Sequence, residues 1–176
     1  QNPNHNVKNL DVALKRNALA ATFFFTIPGP KMVWQFGELG YDYSIDENGR
    51  VGRKPIRWDY YSDYNRKQLY NTYAQLIRLK TNYEVFETTT FTTYLSAAVK
   101  WIKLDGEDMD AAVIGNFNVD TETADFTFPA TGKWYEFFTQ DSISVTNTKV
   151  SFTLNPGEYR LYTTQRIKKG DVYVGI

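Results

Sequence analysis

The hydrophobic pattern changes period near residue 82, and this change constrains the fold more than any other feature of the chain. Before it, apolar residues recur every three or four positions: Leu10, Leu14, Ala18, Ala21 and Phe25, then Leu69, Tyr73, Leu76 and Ile77. Such spacing lays one apolar stripe along each of two helices, predicted at about residues 7–25 and 64–80. Asn6 or Asn9 is suited to cap the first, and Ser62 or Asp63 the second. Pro28-Gly29-Pro30 stops the first helix.

After Asn82 the chain reads as short alternating segments. They are 88–94, 99–104, 111–118, 124–128, 133–138, 149–154 and 158–162, with turn signals at Asp105-Gly106, Thr131-Gly132 and Asn155-Pro-Gly157. Short strands at near-regular spacing predict an antiparallel sandwich. Its expected core includes Trp101, Val113, Phe117, Phe126 and Phe152, and Trp134 is placed there too. The boundary falls near residues 81–87, which gives two expected units, 1–82 and 83–176. No internal repeat is evident.

Between the helices lies the apolar run Met32-Val-Trp-Gln-Phe36, predicted as a strand buried on both faces, as in a parallel sheet. A long loop rich in Gly, Tyr and charge follows, from Gly37 to Asp63, and loops of that length are usually functional or disordered. Helix, strand, helix is the order of an α/β protein. Yet no second strand of the kind follows.

Composition removes several function classes. Twenty basic and twenty acidic side chains leave a formal charge of zero, unlike the basic face a nucleic acid requires. With no cysteine there is no disulfide, thiolate zinc site or cysteine nucleophile. No apolar run approaches the roughly 20 residues that span a bilayer. The N-terminus lacks a signal-peptide pattern and an initiating Met, so the chain reads as part of something longer. Aromatic residues make up 16 %, enough for sugar-stacking faces as well as for a β core.

These phrases together resemble the C-terminal end of the α-amylase family, glycoside hydrolase family 13, along essentially the whole chain. In that family a (β/α)₈ barrel is followed by an antiparallel sandwich, domain C. The seventh barrel helix leads through a Pro-Gly turn into the eighth strand and a Gly-x-Glu loop. Pro28-Gly29, Met32-Val-Trp34 and Glu38 take those places here. The segment Lys54-Pro-Ile-Arg-Trp-Asp59 resembles the approach to the eighth helix, Leu76-Ile-Arg-Leu79 its end, and Leu154-Asn-Pro-Gly-Glu-Tyr-Arg-Leu-Tyr162 the closing strand pair of domain C. The resemblance implies an α+β fragment: a helix-strand-helix barrel tail, then domain C.

It implies further that the parent acts on α-glucans as a retaining hydrolase or transglycosylase, of α-amylase or branching-enzyme type. Retaining enzymes use two carboxyl groups about 5–5.5 Å apart. In this family they lie on the fourth and fifth strands, with a third acid after the seventh, all upstream of Gln1. No catalytic residue is therefore expected in the chain, and turnover by the chain alone is not expected. Calcium, carried by domain B, is expected only in the missing part. Asn4-His5-Asn6 resembles the third acid's phrase but puts Asn6 where the acid stands, and reads as a loop.

Glu38 is the leading functional candidate, as a residue orienting the catalytic groups or as a loop anchor. Tyr41, Tyr43 and Trp58 are candidates for lining the sugar groove. Asp42-Tyr-Ser-Ile-Asp-Glu-Asn48 alternates oxygen-bearing side chains like a calcium loop but lacks glycine at its sixth position and an acid at its twelfth, so no metal site is assigned. Expected partners are an α-glucan for the parent, the rest of the barrel, and a second copy through residues 8–40, with no nucleic acid and no membrane. A starch-degrading parent favours a secreted or periplasmic location. A non-catalytic carbohydrate-binding module, or a purely structural sandwich, is the alternative.

Overall fold

The computed structural model describes residues 2, 3 and 5–170. Gln1, Asn4 and the last six positions of the expected second unit lie outside it, and with Asn4 part of the Asn4-His5-Asn6 phrase.

Two helices open the chain, α1 (Leu10–Thr26) and α2 (Tyr64–Asn82). Asn9 caps the first through its side-chain oxygen, which accepts from Asp11 and Val12 N–H, and Asp63 caps the second by accepting from Arg66 N–H. The helices run in the same direction, because their contacts step together along both. Asn65 donates to Asp11, Tyr73 to Asn17, and the Lys80 ammonium to the Ile27 carbonyl. Two adjacent parallel helices need a connection that travels back the length of α1, about 25 Å for 17 residues. Residues 27–63 make that return.

The expected strand in this return does not form. Residues 30–34 are irregular, the chain turns at Gln35 and Phe36, and Met32 is 79 % and Trp34 65 % exposed. A strand exists only through hydrogen bonds to a neighbour. Among the described residues nothing lies beside this segment to supply them.

Among the described residues eight strands follow: β1 (Phe91–Tyr94), β2 (Val99–Leu104), β3 (Ala111–Asn116), β4 (Glu122–Thr127), β5 (Gly132–Glu136), β6 (Ser142–Val145), β7 (Lys149–Leu154) and β8 (Tyr159–Thr163). Six form one antiparallel sheet in the order β1-β2-β3-β8-β5-β6, and β4 and β7 pair as a second. The α+β order is as expected. β6 is additional to it, and β1 begins three residues later than its segment, after a 3₁₀ turn at Glu84–Glu87.

Alternation along the strands sorts the core into two layers. Ile102, Val113 and Leu161 stand opposite one another across β2, β3 and β8, on the face that meets Leu19, Phe23, Phe25, Leu76 and Leu79 of the helices. Ile114 and Tyr162 point the other way, into a layer with Phe126, Phe128, Trp134 and Leu154. The central strand β3 is therefore buried along its whole length. The result is three layers: helices, large sheet, small sheet. Val85 and Phe86, from the turn between helix and sheet, lie in the helix-side core. Of the expected core, Val113, Phe126 and Trp134 are buried, whereas Trp101, Phe117 and Phe152 are half-buried at its margin.

Gly115 permits the closest approach of helix and sheet. A Cβ there would lie 2.5 Å from Leu19 and 2.9 Å from Phe23, so a side chain there would force these two core residues of α1 to shift. Among the described residues no helix is long and apolar enough to cross a membrane.

Candidate functional site

The long loop after the unpaired segment is ordered by a small aromatic core of its own. Phe36 adopts a left-handed backbone (φ 54°), a short 3₁₀ turn follows at Gly37–Leu39, and Gly40 is left-handed again (φ 67°). This double reversal folds Phe36 and Leu39 against Tyr60, with Tyr41, Tyr43, Tyr61 and Tyr70 around them. Gly40 also packs on α1: a Cβ there would meet Leu14 at 2.3 Å. A left-handed non-glycine residue costs energy, and here the packing of Phe36 holds it.

Three of the four sequence candidates belong to this cluster. The Tyr41 hydroxyl donates to the Pro55 carbonyl (2.6 Å), and its ring lies 5.4 Å from that of Tyr43. Trp58 sets its edge on Phe36 at 4.9 Å while remaining 73 % exposed. Glu38 sits half-buried on the 3₁₀ turn, and among the described residues its carboxylate makes no hydrogen bond or ion pair.

Two arginines and Tyr60 anchor the loop instead. Arg66, from the first turn of α2, is 5 % exposed and donates to the Leu39 (2.9 Å) and Gly40 (2.6 Å) carbonyls and to Asp42 Oδ2 (2.8 Å). Its guanidinium lies 3.7 Å from the Tyr60 ring centre, and that of Arg57 lies 4.0 Å from the same ring. Arg57 also holds Asp59 with two bonds (2.8 and 2.6 Å) and donates to the hydroxyls of Tyr43 (2.9 Å) and Tyr60 (3.0 Å). The Tyr60 hydroxyl donates to Asp42 Oδ1. Burial, and then the bond to Asp42, push the Tyr60 hydroxyl up to about 12. Burial also works against the Asp42 carboxylate, but the bonds from Tyr60 and Arg66 outweigh it and hold Asp42 below the usual carboxylate range.

The sequence does not mark Arg66 or Tyr60 as functional, and it marks Asp42 only as the first residue of the calcium-like stretch. One signal for Arg66 was present: it falls three residues before Leu69, on the apolar stripe of α2, where a solvated charge does not belong. The calcium-like stretch takes a different form. The Lys54 ammonium donates to the carbonyls of Ile45 (2.7 Å), Glu47 (2.6 Å) and Gly49 (2.7 Å), so a side-chain cation stands where those oxygens converge. Among the described residues no group of three or more His, Cys, Asp or Glu side chains is set to hold a metal.

The site's chemistry follows from which groups are engaged. Asp42 and Asp59 are bound to arginines, and Glu38 is not. Glu38, without a partner among the described residues, and Trp58, an exposed indole, are carried by the same long loop, and groups of both kinds suit contact with a polyhydroxylated ligand.

No protein-family model matches the chain, and no curated protein matches it. Solved structures do. The chain is similar to AmyP in complex with maltose (14 % identity, TM-score 0.72), covering 89 % of this chain and 36 % of that one. It is similar to the α-amylase from Geobacillus thermoleovorans complexed with acarbose (18 % identity, TM-score 0.68), covering 85 % and 33 %. A cyclomaltodextrinase gives 17 % identity and a TM-score of 0.70, covering 90 % and 27 %. The chain spans about a third of the length of the first of these and shares the fold of that part.

Proposed function

We propose that this chain is the C-terminal part of an α-glucan-active retaining glycoside hydrolase or transglycosylase, and that the catalytic carboxylates lie outside it. One observation carries the reading. Nearly the whole chain superposes on about a quarter to a third of an α-amylase, of a cyclomaltodextrinase and of AmyP, which was solved in complex with maltose. Two parallel helices with an extended, unpaired return between them are one β/α repeat without its neighbours. In the whole enzyme Met32–Gln35 would gain strand partners, and the loop holding Glu38, Tyr41, Tyr43 and Trp58 would stand at the carboxyl end of that strand. Barrel enzymes carry their active sites at that end. Glu38 would then orient a catalytic group or meet the sugar, and Trp58 would stack on it. Calcium, where present, belongs to the rest of the parent.

The test is a glycosidase assay of this chain on soluble starch and maltooligosaccharides. The expected result is no turnover. Activity that survives repurification and disappears in Glu38→Gln would place the chemistry in this chain and overturn the reading.

A further inference from the structure

A second concave site lies away from the aromatic loop. It is a cleft of about 720 Å³ between the N-terminal halves of α1 and α2 and the turn joining β7 to β8. We propose that this cleft binds a neutral oligosaccharide. Its volume falls within the range of natural small-ligand sites. Glu38, Tyr41, Tyr43 and Trp58 are not part of its lining.

The walls combine aromatic faces with uncommitted polar groups. The floor is an edge-to-face pair, Phe138 on Tyr159, with ring centres 5.1 Å apart. At the rim stands Tyr64, 73 % exposed at the first position of α2. Gln68 follows one helical turn later, so both side chains face the same way. Lys15 occupies the corresponding rim of α1. Among the described residues neither the Gln68 amide nor the Lys15 ammonium has a side-chain partner, and both are exposed.

The carboxylates in the cleft, by contrast, are already bonded. Glu158 is paired with Arg160, Asp11 accepts from Asn65, and Glu136 accepts from the backbone N–H groups of Thr139 and Leu161. A site whose acids are satisfied internally, with aromatic faces and free amide and ammonium donors left over, suits a ligand of hydroxyl groups and apolar ring faces. It offers little to a cation. The far wall is rigid as well. The Asn155-Pro-Gly157 turn is fixed by Asn116, which is fully buried, donates to the Leu154 carbonyl and accepts Gly157 N–H at its own carbonyl. A preformed wall reduces the ordering cost of binding.

The choice of α-1,4-glucan as first ligand rests on the function proposed above, whereas the neutral-sugar chemistry of the cleft does not. The chain is titrated with maltoheptaose, cellohexaose and inorganic phosphate while backbone amide shifts are followed. Saturable shifts at Lys15, Tyr64, Gln68 and Gly157 with maltoheptaose are expected. Tyr64→Ala and Gln68→Ala, both exposed positions, should each weaken binding tenfold or more, and Trp58→Ala should leave these shifts in place. Shifts with cellohexaose alone would support the cleft and count against the α-glucan reading. No saturable binding of either sugar, binding indifferent to Tyr64→Ala and Gln68→Ala, or phosphate displacing sugar from the same residues would overturn the proposal.

Discussion

Arg66→Met isolates what holds the loop of Glu38 and Trp58 in shape. The methionine retains much of the aliphatic stem and removes the guanidinium. The carbonyls of buried Leu39 and half-buried Gly40 then lose their donor, at about 1–3 kcal/mol for each that water cannot reach. The ion pair with Asp42 adds little, because that carboxylate is 53 % exposed and rehydrates when released. The cation–ring contact on Tyr60 adds on the order of 1 kcal/mol. The sum is about 2–7 kcal/mol, depending on how far water reaches the Gly40 carbonyl, and it brackets the 3–5 kcal/mol found when one partner of a buried charged network is removed. Hydrogen exchange separates a local effect from a global one. The amides of Leu39, Gly40 and Tyr41 bond to Phe36 and Gly37 carbonyls within the turn and report its opening. At 1.4 kcal/mol per decade their exchange should accelerate a hundredfold or more, while the β3 amides change far less. Arg66→Lys should fall between, since an ammonium cannot reproduce the planar fork. Unchanged exchange at Leu39–Tyr41 in Arg66→Met would refute the argument that this residue organises the loop.

Acid should loosen the same loop. Asp42 titrates below its unfolded value of about 3.9, so its contribution is present above that pH and is lost as pH falls through the lower folded value. Melting measured from pH 5 to pH 2 should therefore decline less steeply in Asp42→Asn than in the parent chain. Trp134→Ala removes a fully buried indole that donates to the Ala130 carbonyl, and should destabilise the sheets by about 3–5 kcal/mol in urea unfolding. Gly115→Val should displace Leu19 and Phe23 at the α1–β3 contact and destabilise by about 1–3 kcal/mol, with near-ultraviolet circular dichroism reporting the disturbed packing. The exposed Met32, Trp34 and Phe24 predict concentration-dependent association in sedimentation experiments, reduced by Met32→Lys with Trp34→Lys. A clean monomer at high concentration would count against an open barrel edge.

What the sequence determined by itself was the local grammar. Helical spacing, the cap candidates Asn6 or Asn9 and Ser62 or Asp63, and the Pro-Gly stop place α1 and α2 to within a few residues, because those signals act within a few positions of the chain; the structure selects Asn9 and Asp63. Alternation likewise locates most strands. β6 escaped because Ser142-Ile-Ser-Val145 is only four residues long and buries Val145 alone. The phrases around Glu38 and Trp58 marked the right loop but not what holds it. Only the tertiary structure brought Arg66 over Tyr60 and onto the carbonyls of Leu39 and Gly40, across more than 25 positions. It also decided that Met32-Val-Trp-Gln-Phe36, strand-like in every local respect, is no strand here. A strand is a relation between two segments, and apolar composition encodes the capacity for pairing without supplying the partner. The cleft beneath Tyr64 arises in the same way, where two helix ends meet a turn about 90 residues away. No periodicity in the chain records that meeting.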